Sequence, residues 1–429
     1  MKAERFAAVV REAFTPVNPD APPSIGVEAE FLVIDLERRV PVPPRGPSSR
    51  FDARSPTSIP ILEEMADRCG WERIESAGLP RYRRSDGTVI AFEPGGQLEF
   101  ATPPLPSLDA VDHAIREGVD QVAEVMGLHG VGLLARGLDP WTPVTVPDLH
   151  LRLPRYERMA AHYDRRGTDG RRMMRQTAGV HVNLDLGHDP IGRWERANAI
   201  VPDLISIFAN SCRIEGRPGW RSERSRTWRR LDPSRTGVFA SRPDPVGEYL
   251  RFARRAEAFL VAEPETSAVP WGMRDAELGI EAWRDHLSTL FPEVRPRRYL
   301  ELRSIDALPP DQVVLAAGYA AGIVYRTGPE YGDAGPGAGW VDARPGGRVD
   351  LALLERAGDP GLADPQIHAR ALEGWRRADE GLDRLGSVFA SSGIRDRIRE
   401  FRDTLTSRAR DPGALEGDWV HTRSTPSRV

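Results

Sequence analysis

The chain has 429 residues, 40% of them hydrophobic and 28% charged, with a formal net charge of −4. This is the profile of a globular protein with ample core; it lacks the apolar run of about 18 residues that a membrane span needs, and its charge balance disfavours nucleic acid as a partner. Lys2 is the sole lysine among 59 basic residues, which excludes a lysine-based phosphate loop and a kinase strand lysine.

If the protein handles ATP, metal ions and arginines must therefore neutralise the phosphates. Charged residues follow Met1 closely where a signal peptide would place its apolar segment, so a cytoplasmic location is expected. Cys69 and Cys212 lie in no CxxC pair and are expected as reduced, partly buried thiols.

In chain order, an amphipathic helix is expected over 3–14, then a proline-rich connection and a strand over Ile25–Asp35. A Pro- and Ser-rich loop at 40–56 and a helix at about 60–69 precede two or three strands running to Thr102. Ser107 is placed to cap a long helix reaching about Gly127, with Asp109 and Asp112 near its positive end. A strand near 130–136 is followed by an irregular stretch to about 154, a strand at 178–186 and one helix over 190–209 with Pro190 in its first turn. Residues 210–243 read as irregular and arginine-rich. Helices near 245–259 and 279–289 and a strand at 298–305 complete the mixed part. Residues 1–410 are read as one catalytic domain, mostly helical from about 309 apart from a Gly-rich loop at 328–347, and 411–429 as a mobile tail. Without a steady β-α-β rhythm, the fold class expected is α+β with a largely antiparallel sheet.

Four strands share one peculiarity. Alternation puts Glu28 and Glu30 on one face, with Val27, Ala29 and Phe31 on the other. The same rule pairs Gln97 with Glu99, lines up His181, Asn183 and Asp185, and groups Tyr299, Glu301 and Arg303. Pro94-Gly95-Gly96 is a turn signal that would bring Glu93 back towards Glu99. Any one of these strands alone could be an ordinary wet face. Together they put like charges side by side, which costs energy unless a cation sits between them. Carboxylates with one histidine suit magnesium, with manganese as the alternative. An arginine-rich stretch, Arg217 to Arg235, with Trp220 and Trp228 interleaved, supplies groups suited to phosphates and carboxylates.

These motifs resemble those of the glutamate–cysteine ligases in their plant and actinobacterial form, closest to the form of the ergothioneine pathway. The matching stretches are Gly26–Phe31, Glu93–Glu99, Met173–Asp185, Phe208–Ser211 leading to Arg224–Trp228 and Asp232–Gly237, and His286–Arg295 leading into Arg298–Arg303, in one order from about 25 to 310. The resemblance implies a curved, largely antiparallel sheet with helices outside, similar to the glutamine synthetase catalytic domain. It implies Glu28, Glu30, Glu93, Glu99, His181 and Glu301 as metal ligands and Glu301 and Arg303 as catalytic. It also implies Arg224, Arg235, Gln97, Asn183 and Trp228 as contacts for ATP or substrate. Glutamine stands in the plant branch where this chain has His181. The family arginine before the central strand is here Gln176, with Arg175 one place earlier as a further contact.

The implied reaction is magnesium- and ATP-dependent. The γ-carboxylate of L-glutamate becomes an acyl phosphate, which the amine of L-cysteine then attacks. A related ligase using another amine stays open at this point, as do a phosphohydrolase or kinase on the same metal face and a non-catalytic binding protein.

Overall fold

The computed structural model describes residues 2–45, 56–239, 244–261, 268–275, 277–326 and 351–410. The expected Gly-rich loop and the tail lie outside these residues. The fold is α+β. Nine strands form one sheet: β1 (Ile25–Asp35), β2 (Glu72–Ile74), β3 (Arg81–Arg83), β4 (Val89–Phe92), β5 (Leu98–Ala101), β6 (Val131–Leu134), β7 (Gly179–Asp185), β8 (Val294–Pro296) and β9 (Tyr299–Asp306). Their order is β8-β9-β7-β1-β5-β4-β3-β2, with β6 paired to β1, and every pairing is antiparallel.

β1 is the axis of the sheet. Its first half lies between β5 and β7, and its second half pairs with β6. One face is apolar throughout: Val27, Ala29, Phe31, Leu98, Phe100, Val180, Val182, Leu300 and Leu302 are all fully buried. Phe31 and Phe100 meet edge to face at 5.6 Å. The helices Leu108–Leu128 and Pro310–Val324 pack against this apolar layer. Ser107 caps the first of them by accepting from the Ala110 amide at 3.2 Å. Asp109 in its first turn accepts from the amide (3.0 Å) and hydroxyl (2.6 Å) of Ser391, which ties it to the C-terminal helices. One hydrophobic core runs from Phe6 to Leu405.

The C-terminal part crosses this core through glycines. The helix Pro310–Val324 meets Pro365–Leu385 where an added Cβ on Gly381 would overlap the Gly322 carbonyl oxygen, and one on Gly322 would overlap that of Ala378.

Four differences from the sequence reading have physical causes. The helix expected over 190–209 is two, Pro190–Ala199 and Val201–Ile207, because Pro202 has no N–H to donate back along the helix. The segment expected to be irregular at 210–243 holds a helix, Glu223–Leu231, capped by Ser222 through the Ser225 amide at 3.0 Å. Its Arg-, Ser- and Thr-rich sequence has no apolar period to betray it. Two helices, Pro154–Asp164 and Asp169–Gln176, fill an interval that carried no expected element, and Arg175 sits in the last turn of the second rather than on a strand. Val294–Pro296 is a strand, pairing with β9.

Candidate active site

Opposite residues in antiparallel strands share a face. The register sets Glu30 opposite Glu99, Glu28 opposite His181, Asn183 opposite Glu301, and Glu301 opposite Arg295. A single polar row therefore crosses β5, β1, β7, β9 and β8, backed by the apolar layer. Glu93 joins it through a tight turn. The Glu93 amide donates to the Gln97 carbonyl at 2.9 Å, and Gly96 takes a left-handed φ of 89° that suits glycine.

Two groups of donors bring their ligand atoms to within 4.8 Å of one another: Glu28, His181 and Glu301, and beside them Glu30, Glu93 and Glu99. Carboxylates with one imidazole are a donor set for a hard divalent cation. His181 Nε2 is buried with no hydrogen-bond partner and lies 3.9 Å from Glu30. The two donor groups thus fit one such ion each.

The groups differ in charge. Glu301 is fully buried and gripped in two-pronged fashion by Arg295, with both contacts at 2.7 Å, and by Arg303. Glu28 accepts from His181 (2.8 Å) and Asn183 (3.0 Å). Burial works against ionisation of both carboxyls. Arg295 and Arg303 nevertheless hold Glu301 well below the usual carboxylate range, and the His181 hydrogen bond and charge hold Glu28 below it. The other group is less neutralised, since the charge of Arg303 only partly offsets burial and repulsion at Glu93. Burial first, and then the neighbouring Glu30, push Glu93 up to about 8. Burial and the charges of Glu93, Glu28 and Glu30 push Glu99 well above its ordinary value.

A pH dependence follows. In the ion-free protein Glu93 and Glu99 keep protons that the unfolded chain has lost, so the stability linked to them is full below the ordinary carboxylate pKa. It is lost as pH rises through about 8 for Glu93. A divalent cation relieves that repulsion. Magnesium without nucleotide is expected to raise the melting temperature more at about pH 9 than at about pH 6, as scanning calorimetry at the two pH values will show. An equal rise at both would remove these two carboxyls from the ion site.

The row floors a cavity of about 390 Å³. Of the residues expected from sequence, Glu28, Glu30, Glu93, Gln97, Glu99, His181, Trp228, Glu301 and Arg303 line it. The Arg303 guanidinium sits over Trp228 (5.5 Å) and Phe291 (5.8 Å), which fixes its plane. Gln97 lines the wall, but its amide is already engaged: it accepts from the Gly95 amide at 2.9 Å and donates to the Thr177 carbonyl at 2.8 Å.

Four expected contacts fall outside the cavity lining. Asn183 acts on Glu28. Arg224 is buried behind the wall and donates to the Arg303 carbonyl at 3.0 Å. Its guanidinium lies against Gly179, where an added Cβ would come within 2.5 Å of it. Arg175 donates to the Pro147 carbonyl at 3.2 Å. Arg235 is the clearest correction: it has no exposed surface, and its nitrogens bond Asp232, Thr289 and the Glu257 carbonyl, so it is a structural arginine rather than a substrate contact.

Sequence reasoning missed the other wall. Arg81, Arg155 and Arg297 bring positive charge, to which Arg295 adds from the row itself, and Tyr156, Met159, Met173, Met174 and Phe291 bring apolar and aromatic surface. Reading Val294–Pro296 as a strand would have exposed Arg295 by alternation. The helix Pro154–Asp164 gave no comparable signal.

Comparison with known proteins adds three findings. The glutamate–cysteine ligase family 2 profile matches residues 24–426. A glutamate–cysteine ligase named EgtA from Mycolicibacterium smegmatis is 34% identical over 351 residues, 77% of this chain and 77% of that protein, and a chloroplastic glutamate–cysteine ligase from Medicago truncatula is 31% identical over 62% of this chain and 56% of that one. Among solved structures, a glutamate–cysteine ligase from Francisella tularensis in complex with AMP superposes with a TM-score of 0.48 at 13% identity, over 91% of this chain and 89% of that one.

Proposed function

This chain belongs to glutamate–cysteine ligase family 2, and from that premise we propose that it makes γ-glutamylcysteine from L-glutamate, L-cysteine and ATP, as a step towards a low-molecular-weight thiol, ergothioneine. The observation that carries this reading is the union, in one cavity, of two cation-sized donor groups with four lining arginines beyond the Arg303 named above. We propose the cytoplasm, one compartment that supplies ATP, as the place of the reaction. Among the described residues no helix is long and apolar enough to cross a membrane.

A carboxylate oxygen is a poor leaving group, so amide formation needs prior activation. In the proposed sequence a γ-carboxylate oxygen of glutamate bonds to the γ-phosphorus as the bond to ADP breaks. The cysteine ammonium gives up a proton, its nitrogen then bonds to the acyl carbon, and phosphate leaves as a second proton is lost from that nitrogen. Such transfers depend mainly on positioning and charge neutralisation. Glu28, His181 and Glu301 on one side, and Glu30, Glu93 and Glu99 on the other, would hold magnesium in preference to manganese. The ions would neutralise phosphate charge. Arg303, braced by Trp228 and Phe291 and held by Glu301, would meet an anionic oxygen of the phosphate or of the amino-acid carboxylate. Arg81, Arg155 and Arg297 are additional candidates for carboxylates and phosphates. Met159, Met173, Met174 and Phe291 offer thioether and aromatic surface to an amino-acid side chain. Arg224 supports Arg303 from behind, and Asn183 supports Glu28 from beside it in the row. We assign residues 1–410 to one catalytic unit.

Mass spectrometry of the product from ATP, L-glutamate and a mixture of amino acids tests the reading. The expected product is γ-glutamylcysteine, with ADP and phosphate released only when both amino acids and magnesium are present. A γ-glutamyl product of another amine would identify a related carboxylate–amine ligase instead. ATP turnover without any amine would make the protein a phosphohydrolase.

A further inference from the structure

Behind the apolar wall of the cavity lies a set of charges that never reaches it. His162, Asp232 and Arg235 are 2%, 1% and 0% exposed. Asp232 accepts from Arg235 Nε at 2.7 Å and meets His162 Nε2 at 3.2 Å. Arg235 also donates to the Thr289 hydroxyl at 3.0 Å and the Thr289 carbonyl at 3.2 Å, and to the Glu257 carbonyl at 2.5 Å. Phe259 stacks on His162 at 4.5 Å and lies under the Arg235 guanidinium at 4.6 Å.

The ends of this network share one property. His162 is on the helix Pro154–Asp164, one turn beyond Met159, which lines the cavity. Asp232 directly follows the helix Glu223–Leu231, one turn beyond Trp228, which also lines it. Thr289 stands between the lining residues Ser288 and Phe291, and the Phe291 amide donates to the Arg235 carbonyl at 2.8 Å. Three wall segments far apart in sequence are thus bonded to one another through one carboxylate and one guanidinium.

We propose that Asp232, His162 and Arg235 are positioning residues that fix the spacing of the amino-acid wall (Met159, Trp228 and Phe291) across from the carboxylate row. This rests on the ligase reading above. A buried ion pair is a poor source of stability, because apolar side chains of similar volume stabilise a core at least as well. Its distinct property is direction. A guanidinium bonded along three separate vectors sets the angles and distances among the segments it joins, which side-chain packing alone leaves softer. An amino acid held between that wall and the carboxylate row would feel a shift of a few tenths of an ångström as lost binding.

Steady-state kinetics and calorimetry on the full chain decide the matter. Asp232→Asn keeps the shape and removes the charge. The expected result is a KM for at least one amino acid raised on the order of tenfold or more, with kcat lowered by a smaller factor through the Arg303 brace and magnesium affinity unchanged. His162→Gln should move the same KM in the same direction by less, and it decides alone if Asp232→Asn does not fold. Asp203→Asn is the control. Asp203 is fully buried and paired with Arg370 at 2.7 Å, away from the cavity lining, so its loss should lower the melting temperature and leave KM unaltered. Amino-acid-dependent turnover with unchanged KM in both test variants, or an equal rise in the control, overturns the positioning role alone. An unaltered chain that binds no amino acid overturns it together with the ligase reading.

Discussion

Glu301→Gln is expected to cut kcat/KM for ATP-dependent ligation by a factor on the order of 10² to 10³. Glu301 is the residue on which the polar row converges. It belongs to one donor group with Glu28 and His181, and it is also the counter-charge for Arg295 and Arg303. The neutral amide removes an anionic metal ligand and leaves two buried guanidiniums without their carboxylate. Breaking a buried pair in this way costs about 3–5 kcal/mol, so stability must be measured beside activity. Glu99→Gln separates the two effects. Glu99 is half-buried among like charges, and desolvation and those charges raise its pKa well above normal, so removing its charge relieves repulsion. The Glu99 variant is expected to melt no lower than the parent without metal, most clearly at alkaline pH where the parent's carboxyl ionises, and yet to lose magnesium binding and turnover. ADP release in a coupled assay, with thermal unfolding, checks both variants. Full turnover in a folded Glu301→Gln protein would remove Glu301 from the chemistry.

The largest stability effect is expected from Gly381→Ala. An alanine in a helix is ordinarily favoured over glycine by about 1 kcal/mol. Here the methyl group would overlap the Gly322 carbonyl oxygen on the facing helix, and backbone cannot rotate out of the way as a side chain can. The two helices must separate, opening a layer that includes the fully buried Ala378. A loss of about 3 kcal/mol or more is expected, read as the shift of a chemical denaturation midpoint. Gly127→Ala supplies the contrast. An added Cβ at Gly127 meets nothing within 4 Å, and the helix Leu108–Leu128 carries it near its end. That substitution should be neutral or stabilising by up to about 1 kcal/mol. Equal losses in both would show that the glycine crossing is not the cause.

The part of this molecule that is legible in sequence is the part governed by period two. Glu28 and Glu30 against Val27, Ala29 and Phe31 declare which side of β1 is site and which is core, and β5, β7 and β9 repeat the pattern in register. The carboxylate row and its histidine could be read because strand alternation is local. The arginines of the 217–235 stretch could not be sorted that way. Alternation picks out Arg303, which faces the cavity, but Arg224 and Arg235 look alike in sequence: Arg224 props Arg303 from behind, and Arg235 is enclosed by Asp232, Thr289 and Glu257. Where Arg224 sits is set by how the helix Glu223–Leu231 docks, and that is decided by distant partners such as Asp306. Asp306 accepts from the Asn210 amide at 2.8 Å and from the hydroxyls of Ser211 (2.6 Å) and Ser222 (2.9 Å). Arg155, Tyr156 and Met159 were silent for the same reason, since a helix with half its residues polar does not say which cavity it borders.

The register of the sheet also limits how such a protein can change over generations. Each ligand-bearing strand shows the core one side and the chemistry the other, and inserting or deleting a single residue within β1 or β7 would exchange them. Glu28 would turn towards Phe100 and Val180, and Val27 towards the cation site. Descent through these strands must proceed by substitution at constant length. Gains and losses of residues are confined to the connections between strands, which include the segments that shape the cavity's other wall. New acceptor preferences can therefore arise by loop and helix variation while the metal-binding floor keeps its length residue for residue.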